Sequence, residues 1–345
     1  MDDQAGAKPA SGLLDRRLFL TGATGLVALG ASQSASGQSA PKQAASGPMP
    51  PRTIPAAWTG APVIELWPDG TPGGGFRQTP LPIANPPPVF MHNVERPCLR
   101  VFRPARPNGR ALLVIPGGAY IFVSIDNEGV DVARAMTERG YTVFVLVYRL
   151  PGEGWGDRAD VPLQDAQRAM RVVRSLAGTH GFDPRHVYAL GFSAGGHLAA
   201  SLATDFGQSV YRPRDAVDAL DARPFATGLG YPVISMTPPV THAQSRAALL
   251  GPEPDAALVA RRSPAAHVTA ETPPVFLMHA LDDPAVPPEN SLEMMQALRA
   301  ARRPVESHFF QEGGHGFGLG RPQLPASQWI GLFATWLDRQ IAPAA

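Results

Sequence analysis

The chain has 345 residues, 44% of them hydrophobic, which allows either one large domain or two ordinary ones. Its 30 Lys and Arg against 29 Asp and Glu leave a formal charge of +1, which speaks against a polyanion-binding surface and so against nucleic acid as a partner. Cys98 is the one cysteine, which excludes an intrachain disulfide, a Cys-rich structural zinc site and a lipid-modified N-terminal cysteine.

Residues 1–40 read as an export signal. Asp15-Arg16-Arg17-Leu18-Phe19-Leu20 sets paired arginines before an apolar stretch that ends near Ala31, a twin-arginine pattern, and a tract of small residues follows. The apolar run is interrupted by Thr and Gly and falls short of the roughly 20 residues a membrane helix needs. The expectation is a cleaved signal, no stable membrane span afterwards, and a periplasmic or secreted protein. Residues 41–60, with Pro41, Pro48, Pro50, Pro51 and Pro55 among Ala, Ser and Gly, read as a linker. The catalytic domain is expected over 61–342.

Short apolar, β-branched runs then alternate with helical patterns, which predicts a mostly parallel sheet with helices on both faces. Eight strands are predicted: Val63–Leu66, Cys98–Arg103, Ala111–Ile115, Thr142–Tyr148, Val187–Leu190, Ala226–Gly230, Val275–His279 and Val305–Phe310. Helical spacing predicts helices over Glu128–Arg139 and Pro162–Leu176, the second with a solvated polar face of Asp165, Arg168 and Arg171. After the sixth strand, Pro232 to Pro274 forms a small insertion, sized for an open cleft rather than a large apolar lid.

Gly191-Phe192-Ser193-Ala194-Gly195 lies between an apolar strand and the helical run beginning at His197, the setting that a G-x-S-x-G nucleophile elbow requires. Ser193 is therefore the expected nucleophile, projected at a helix N-terminus where backbone N–H groups favour developing negative charge. Its base is expected to be His315, in the glycine-rich loop Gly313–Gly318 after the last strand. Of the other histidines, His197 reads as structural and His279 as a candidate for lining the pocket. The orienting carboxylate should follow the strand Val275–His279, where Asp282 and Asp283 are adjacent; the D-x-x-V-P form of Asp283 to Pro287 selects Asp283 and leaves Asp282 as a neighbour or loop cap. Oxyanion donors are expected from the N–H groups of Gly118 and Ala119, in Pro116-Gly117-Gly118-Ala119-Tyr120, together with that of Ala194. Tyr120, beside that loop, is a candidate for lining the acyl pocket, and Arg149 is expected to pair with Asp165 as a structural bridge.

The order Ser193, Asp283, His315 with these flanks resembles the α/β-hydrolase fold. Within it the chain is similar to the esterase/lipase branch related to hormone-sensitive lipase, and there to bacterial acetylxylan-esterase-like proteins. The resemblance runs over about 61–340 and also rests on Leu66-Trp67-Pro68, Tyr148-Arg149-Leu150 and Pro287-Pro288-Glu289-Asn290-Ser291. Pro116 and Ala119 stand where the lipase pattern has histidine and a third glycine, a departure that concerns the substrate rather than hydrolysis. The resemblance implies a serine carboxylic-ester hydrolase that deacetylates plant cell-wall polysaccharide, with no metal and no organic cofactor. Small or feruloyl esters are an alternative substrate class, a serine peptidase is a more distant reading, and a catalytically silent binding module of the same fold is the non-enzymatic one.

Overall fold

A computed structural model describes residues 52–341. The expected export segment, and the linker up to residue 51, lie outside the described residues. In chain order the elements are α1 (Ala56–Thr59), β1 (Val63–Glu65), β2 (Phe90–Met91), β3 (Cys98–Phe102), β4 (Ala111–Ile115), β5 (Val123–Ser124), a π-helical turn (Asp126–Val130), α2 (Asp131–Thr137), β6 (Thr142–Val147), α3 (Val161–Ser175), α4 (Ala177–His180), β7 (Val187–Phe192), α5 (Ser193–Thr204), β8 (Thr227–Gly230), α6 (Ala243–Leu250), α7 (Ala256–Arg261), β9 (Val275–Ala280), α8 (Glu289–Ala300), β10 (Val305–Phe310) and α9 (Trp329–Ile341). Eight strands form one sheet in the order β1-β3-β6-β4-β7-β8-β9-β10, and β2 pairs with β5 apart from it. Both of β3's pairings are antiparallel while β6 to β10 pair in parallel, so the sheet is mostly parallel, as the alternating pattern predicts.

The strand sequences explain their places. Every residue of β4, β6, β7, β8 and β9 is buried; β4, β6 and most of β7 and β9 are the apolar runs expected of strands covered on both faces, while β8, Thr-Gly-Leu-Gly, is buried with little apolar side chain of its own. The outer strand β10, Val-Glu-Ser-His-Phe-Phe, is half-buried throughout. Register brings the functional loops to one edge: Ile115 pairs with Gly191, so the loop after β4 adjoins the turn after β7, while Ala280 pairs with Phe310, so the loops after β9 and β10 emerge together. This is the carboxyl edge of a parallel sheet, where such folds place their ligands.

Two expectations are corrected. The fold begins before residue 61: Trp58, in α1, is 3% exposed and belongs to the core, a single large apolar side chain within an otherwise Pro- and Ala-rich segment. The polar face of α3 is not solvated. Asp165 is buried against Arg149 and Trp67, and Arg168 is buried where residues 205–220 cross over the helix, bonding Asp215 at 2.6 Å and Asp218 at 2.9 Å.

Candidate active site

Ser193 is the first residue of α5, directly after β7, and holds φ at +52°, a left-handed conformation that a non-glycine residue adopts only under constraint. The constraint is close packing of backbone. A Cβ on Gly195 would lie 2.2 Å from the Ile115 oxygen and 2.3 Å from the Pro116 oxygen, and one on Gly191 would lie 2.2 Å from the Gly195 oxygen. No larger residue fits at either place, so the elbow is locked against the end of β4.

The three side chains singled out by the sequence converge here. Ser193 Oγ is 2.9 Å from His315 Nε2, and His315 Nδ1 is 2.7 Å from Asp283 Oδ2. Because the carboxylate accepts from Nδ1–H, Nε2 is left to accept the serine proton. Burial opposes ionisation of Asp283, yet hydrogen bonds from the His279 and His315 rings and from the Val286 N–H hold its carboxyl well below the usual range. Its other oxygen accepts the N–H groups of Ala285 and Val286, each at 2.9 Å. Asp282 instead accepts the Gly314 N–H at 2.8 Å, which fastens the histidine loop.

Gly118 and Ala119 line the same cleft as Ser193, and among the described residues their N–H groups enter none of the loop's own hydrogen bonds. The loop carbonyls are tied back: Gly117 O accepts the Ser124 N–H, and Gly118 O accepts the N–H groups of Ile121 and Phe122. Gly118 has φ +130°, and a Cβ there would meet the Phe122 oxygen at 2.1 Å. Ala194 follows Ser193 in the first turn of α5, where N–H groups have no helical partner.

Neither candidate pocket residue reaches the cleft. Tyr120 is 1% exposed and its hydroxyl lies 2.7 Å from His197 Nδ1. His197 Nε2 faces the Arg262 oxygen at 2.8 Å, so that nitrogen carries the proton and the tyrosine donates to Nδ1. Burial pushes His197 down to about 4, and the pair is a neutral strut. His279 is buried behind Asp283, where Nε2 faces the Val286 oxygen at 3.0 Å and Asp283 at 3.3 Å while Nδ1 faces Ser291. Both left-handed backbone at Tyr120 and the inward position of β9 turn these side chains into the core.

The cleft has a volume of about 690 Å³. Its walls include residues the sequence reading missed. The Asp126–Val130 turn supplies Asp126, Asn127 and Glu128, with Arg52 bound to Asp126; the stacked pair Phe90 and Phe122, centroids 3.9 Å apart, supplies an apolar wall; the insertion supplies His242 and Gln244. His242 faces His315 nearly parallel at 6.5 Å between ring centroids, and burial lowers its pKa. No motif marks these residues, and the only signal for Glu128 was a helix start. Among the described residues no group of three His, Cys, Asp or Glu side chains is arranged to hold a metal.

Comparison with known proteins gives the same architecture. The BD-FAE family model matches residues 99–298. An acetylxylan esterase of Xylanibacter ruminicola is 33% identical over 70% of this chain and 48% of its own length, and endo-1,4-beta-xylanase B of Butyrivibrio fibrisolvens is 33% identical over 70% of this chain and 36% of its own. The chain thus spans about half or less of these curated relatives. Among solved structures, an acetyl ester-xyloside bifunctional hydrolase from Caldicellulosiruptor lactoaceticus superposes with a TM-score of 0.67 at 34% identity, covering 81% of this chain and 96% of that one. The carboxylesterase Cest-2923 of Lactobacillus plantarum gives 0.60 at 27% identity, covering 72% and 95%. With its eight-stranded sheet and these matches, the chain has the α/β-hydrolase fold and belongs to the BD-FAE family.

Proposed function

We propose that the chain is a serine carboxylic-ester hydrolase acting on acetyl esters of plant cell-wall polysaccharide. The observation that carries the reaction type is the relay from Ser193 through His315 to Asp283, at 2.9 and 2.7 Å, at the floor of an open cleft. In this reading His315 Nε2 takes the Ser193 proton as Oγ attacks the ester carbonyl, and Asp283 holds the imidazolium. The N–H groups of Gly118, Ala119 and Ala194 receive the oxyanion. Its collapse expels the alcohol with the proton from His315, and water repeats the sequence on the acyl-enzyme to release the acid. The substrate class is supported by the relatives named for acetylxylan and xyloside chemistry, and by a cleft walled with both aromatic and polar side chains. The reading includes export through the Arg16-Arg17 segment, which suits a polymeric substrate outside the cell.

The deciding experiment measures acetate released from acetylated xylan and from a small acetate ester, with Ser193→Ala in parallel. Release from both, lost in the variant, supports the whole reading. Release from the small ester alone keeps the mechanism and discards the polysaccharide; feruloyl esters and peptides are assayed next. Release from neither, with no fluorophosphonate labelling of Ser193, leaves a non-catalytic binding module.

A further inference from the structure

Glu128 is a carboxylate buried beside the nucleophile, 4% exposed, which the reaction above does not use. Its Oε2 accepts the Gly117 N–H at 2.7 Å, and its Oε1 accepts the Tyr231 hydroxyl at 2.9 Å. The Tyr231 oxygen in turn accepts the Gly318 N–H at 3.1 Å. Gly117 precedes the expected oxyanion donors and Gly318 closes the loop that carries His315. One side chain therefore spans both halves of the site.

We propose that Glu128 is a positioning residue that joins the oxyanion loop to the histidine loop and, as a carboxylate, favours the imidazolium of His315 during acyl transfer. The inference rests on the serine-hydrolase reading.

Bond directions support a carboxylate. Amide N–H groups only donate, so Tyr231 accepts from Gly318 and must spend its single proton on Glu128. Both glutamate oxygens thus accept, and neither bond requires an acid proton. Burial raises the Tyr231 pKa far above its ordinary value, which keeps that proton in place. Burial also raises the Glu128 pKa, while the bonds from Gly117 and Tyr231 and the charge of His315 oppose the rise. The groups facing Glu128 are Tyr148 from the end of β6, Tyr231 after β8, His315 after β10, and Asp126 on its own turn, whose charge is met by Arg52. His315 is the one among them that gains positive charge during the reaction. The Tyr231 ring also packs against His315 at 5.2 Å between centroids, so the bridge sets the ring's place as well as its field.

Local backbone explains how an acid reaches this position. The Val130 N–H bonds the Ile125 oxygen at 2.9 Å, five residues back, and the widened π turn sends Asp126, Asn127 and Glu128 toward the cleft together. Asn127 adds a second tie to the histidine loop, donating to the Gly316 oxygen at 3.0 Å.

The test uses Glu128→Gln and Tyr231→Phe in the mature protein, with 4-nitrophenyl acetate as substrate and a fluorophosphonate titrant counting functional Ser193. Per titrated site, Glu128→Gln should lose about 10- to 100-fold in kcat with KM within about twofold. The acid limb of its kcat/KM profile should move to lower pH, because the removed charge no longer favours the charged ring. Tyr231→Phe keeps the ring against His315 and breaks the bridge, so it should lose kcat by about tenfold. Should Glu128→Gln fail to fold, Tyr231→Phe decides the bridge. Wild-type kcat and an unmoved acid limb in Glu128→Gln, or wild-type kcat in Tyr231→Phe, overturns the proposal while the serine reading stands. A wild-type protein that neither takes the titrant nor turns over overturns both together.

Discussion

Arg149 and Asp165 form an ion pair at 2.8 Å in which neither side chain is exposed at all. Asp165 also accepts the Arg149 backbone N–H and the Trp67 indole N–H, each at 2.8 Å, so β6, α3 and the segment after β1 meet at one carboxylate. Trp155 lies under the guanidinium at 4.9 Å. Arg149→Met would leave that carboxylate buried and short of its main partner, a loss of about 3–5 kcal/mol. The expected result is a melting temperature lower by roughly 5–15 °C with KM unchanged. A raised KM at an unchanged melting temperature would move Arg149 into substrate binding.

Asp282 and Asp283 are adjacent but have different partners, and kinetics should separate them. Asp283→Asn removes the acceptor that fixes the His315 tautomer, and kcat should fall by about 10⁴. Asp282→Asn weakens only the tie to the Gly314 N–H, so a loss of less than about tenfold is expected. Equal losses from the two would remove the assignment of Asp283.

His197 makes the fold sensitive to acid. Its pKa is pushed down from 6.5 to about 4 in the folded protein, so between these values the unfolded chain binds the extra proton. The contribution is therefore fully present above pH 6.5 and is lost as pH falls toward 4, amounting to about 3 kcal/mol. Urea unfolding of His197→Gln between pH 7.5 and pH 4 should show a shallower loss than wild type. Parallel curves for the two proteins would refute a neutral buried imidazole.

His242 stands in the cleft wall on the insertion, its Nδ1 2.8 Å from Ser245 Oγ. His242→Ala should leave kcat on a methyl or ethyl acetate within about threefold and raise KM for acetylated xylo-oligosaccharides by about tenfold or more. An equal effect on small and large alcohols would place His242 in the chemistry rather than in recognition.

The sequence revealed those parts of the fold whose physics is local. The buried strands β4 and β6 read as apolar runs, and the elbow around Ser193 read as glycines placed where backbones touch. The two-residue strands β2 and β5 carry no periodicity that could be seen. The solvated face expected for α3 was misread because its cover, Trp67 and Arg149 over Asp165 and residues 205–220 over Arg168, comes from elsewhere in the chain, and a helix's own spacing cannot show what will be laid over it. Tyr120 and His279, expected as pocket candidates, have side chains that point inward through backbone geometry that composition does not encode. Glu128 and His242 reach the cleft through a π turn and a docked insertion, both products of tertiary structure.

The backbone contact between Gly195 and the end of β4 has a consequence for how such a protein can change. The Ser193 elbow and the expected oxyanion loop are registered to each other main chain against main chain, with no side chain between them to be altered by degrees. Substitution there breaks the centre or leaves it as it was. The walls of the cleft come from stretches around residues 52, 90, 122–128 and 242, outside that backbone contact. Selection acting on those stretches could exchange one alcohol or acyl group for another while the reacting atoms stay in place, so new substrates are reached by walking around a fixed point.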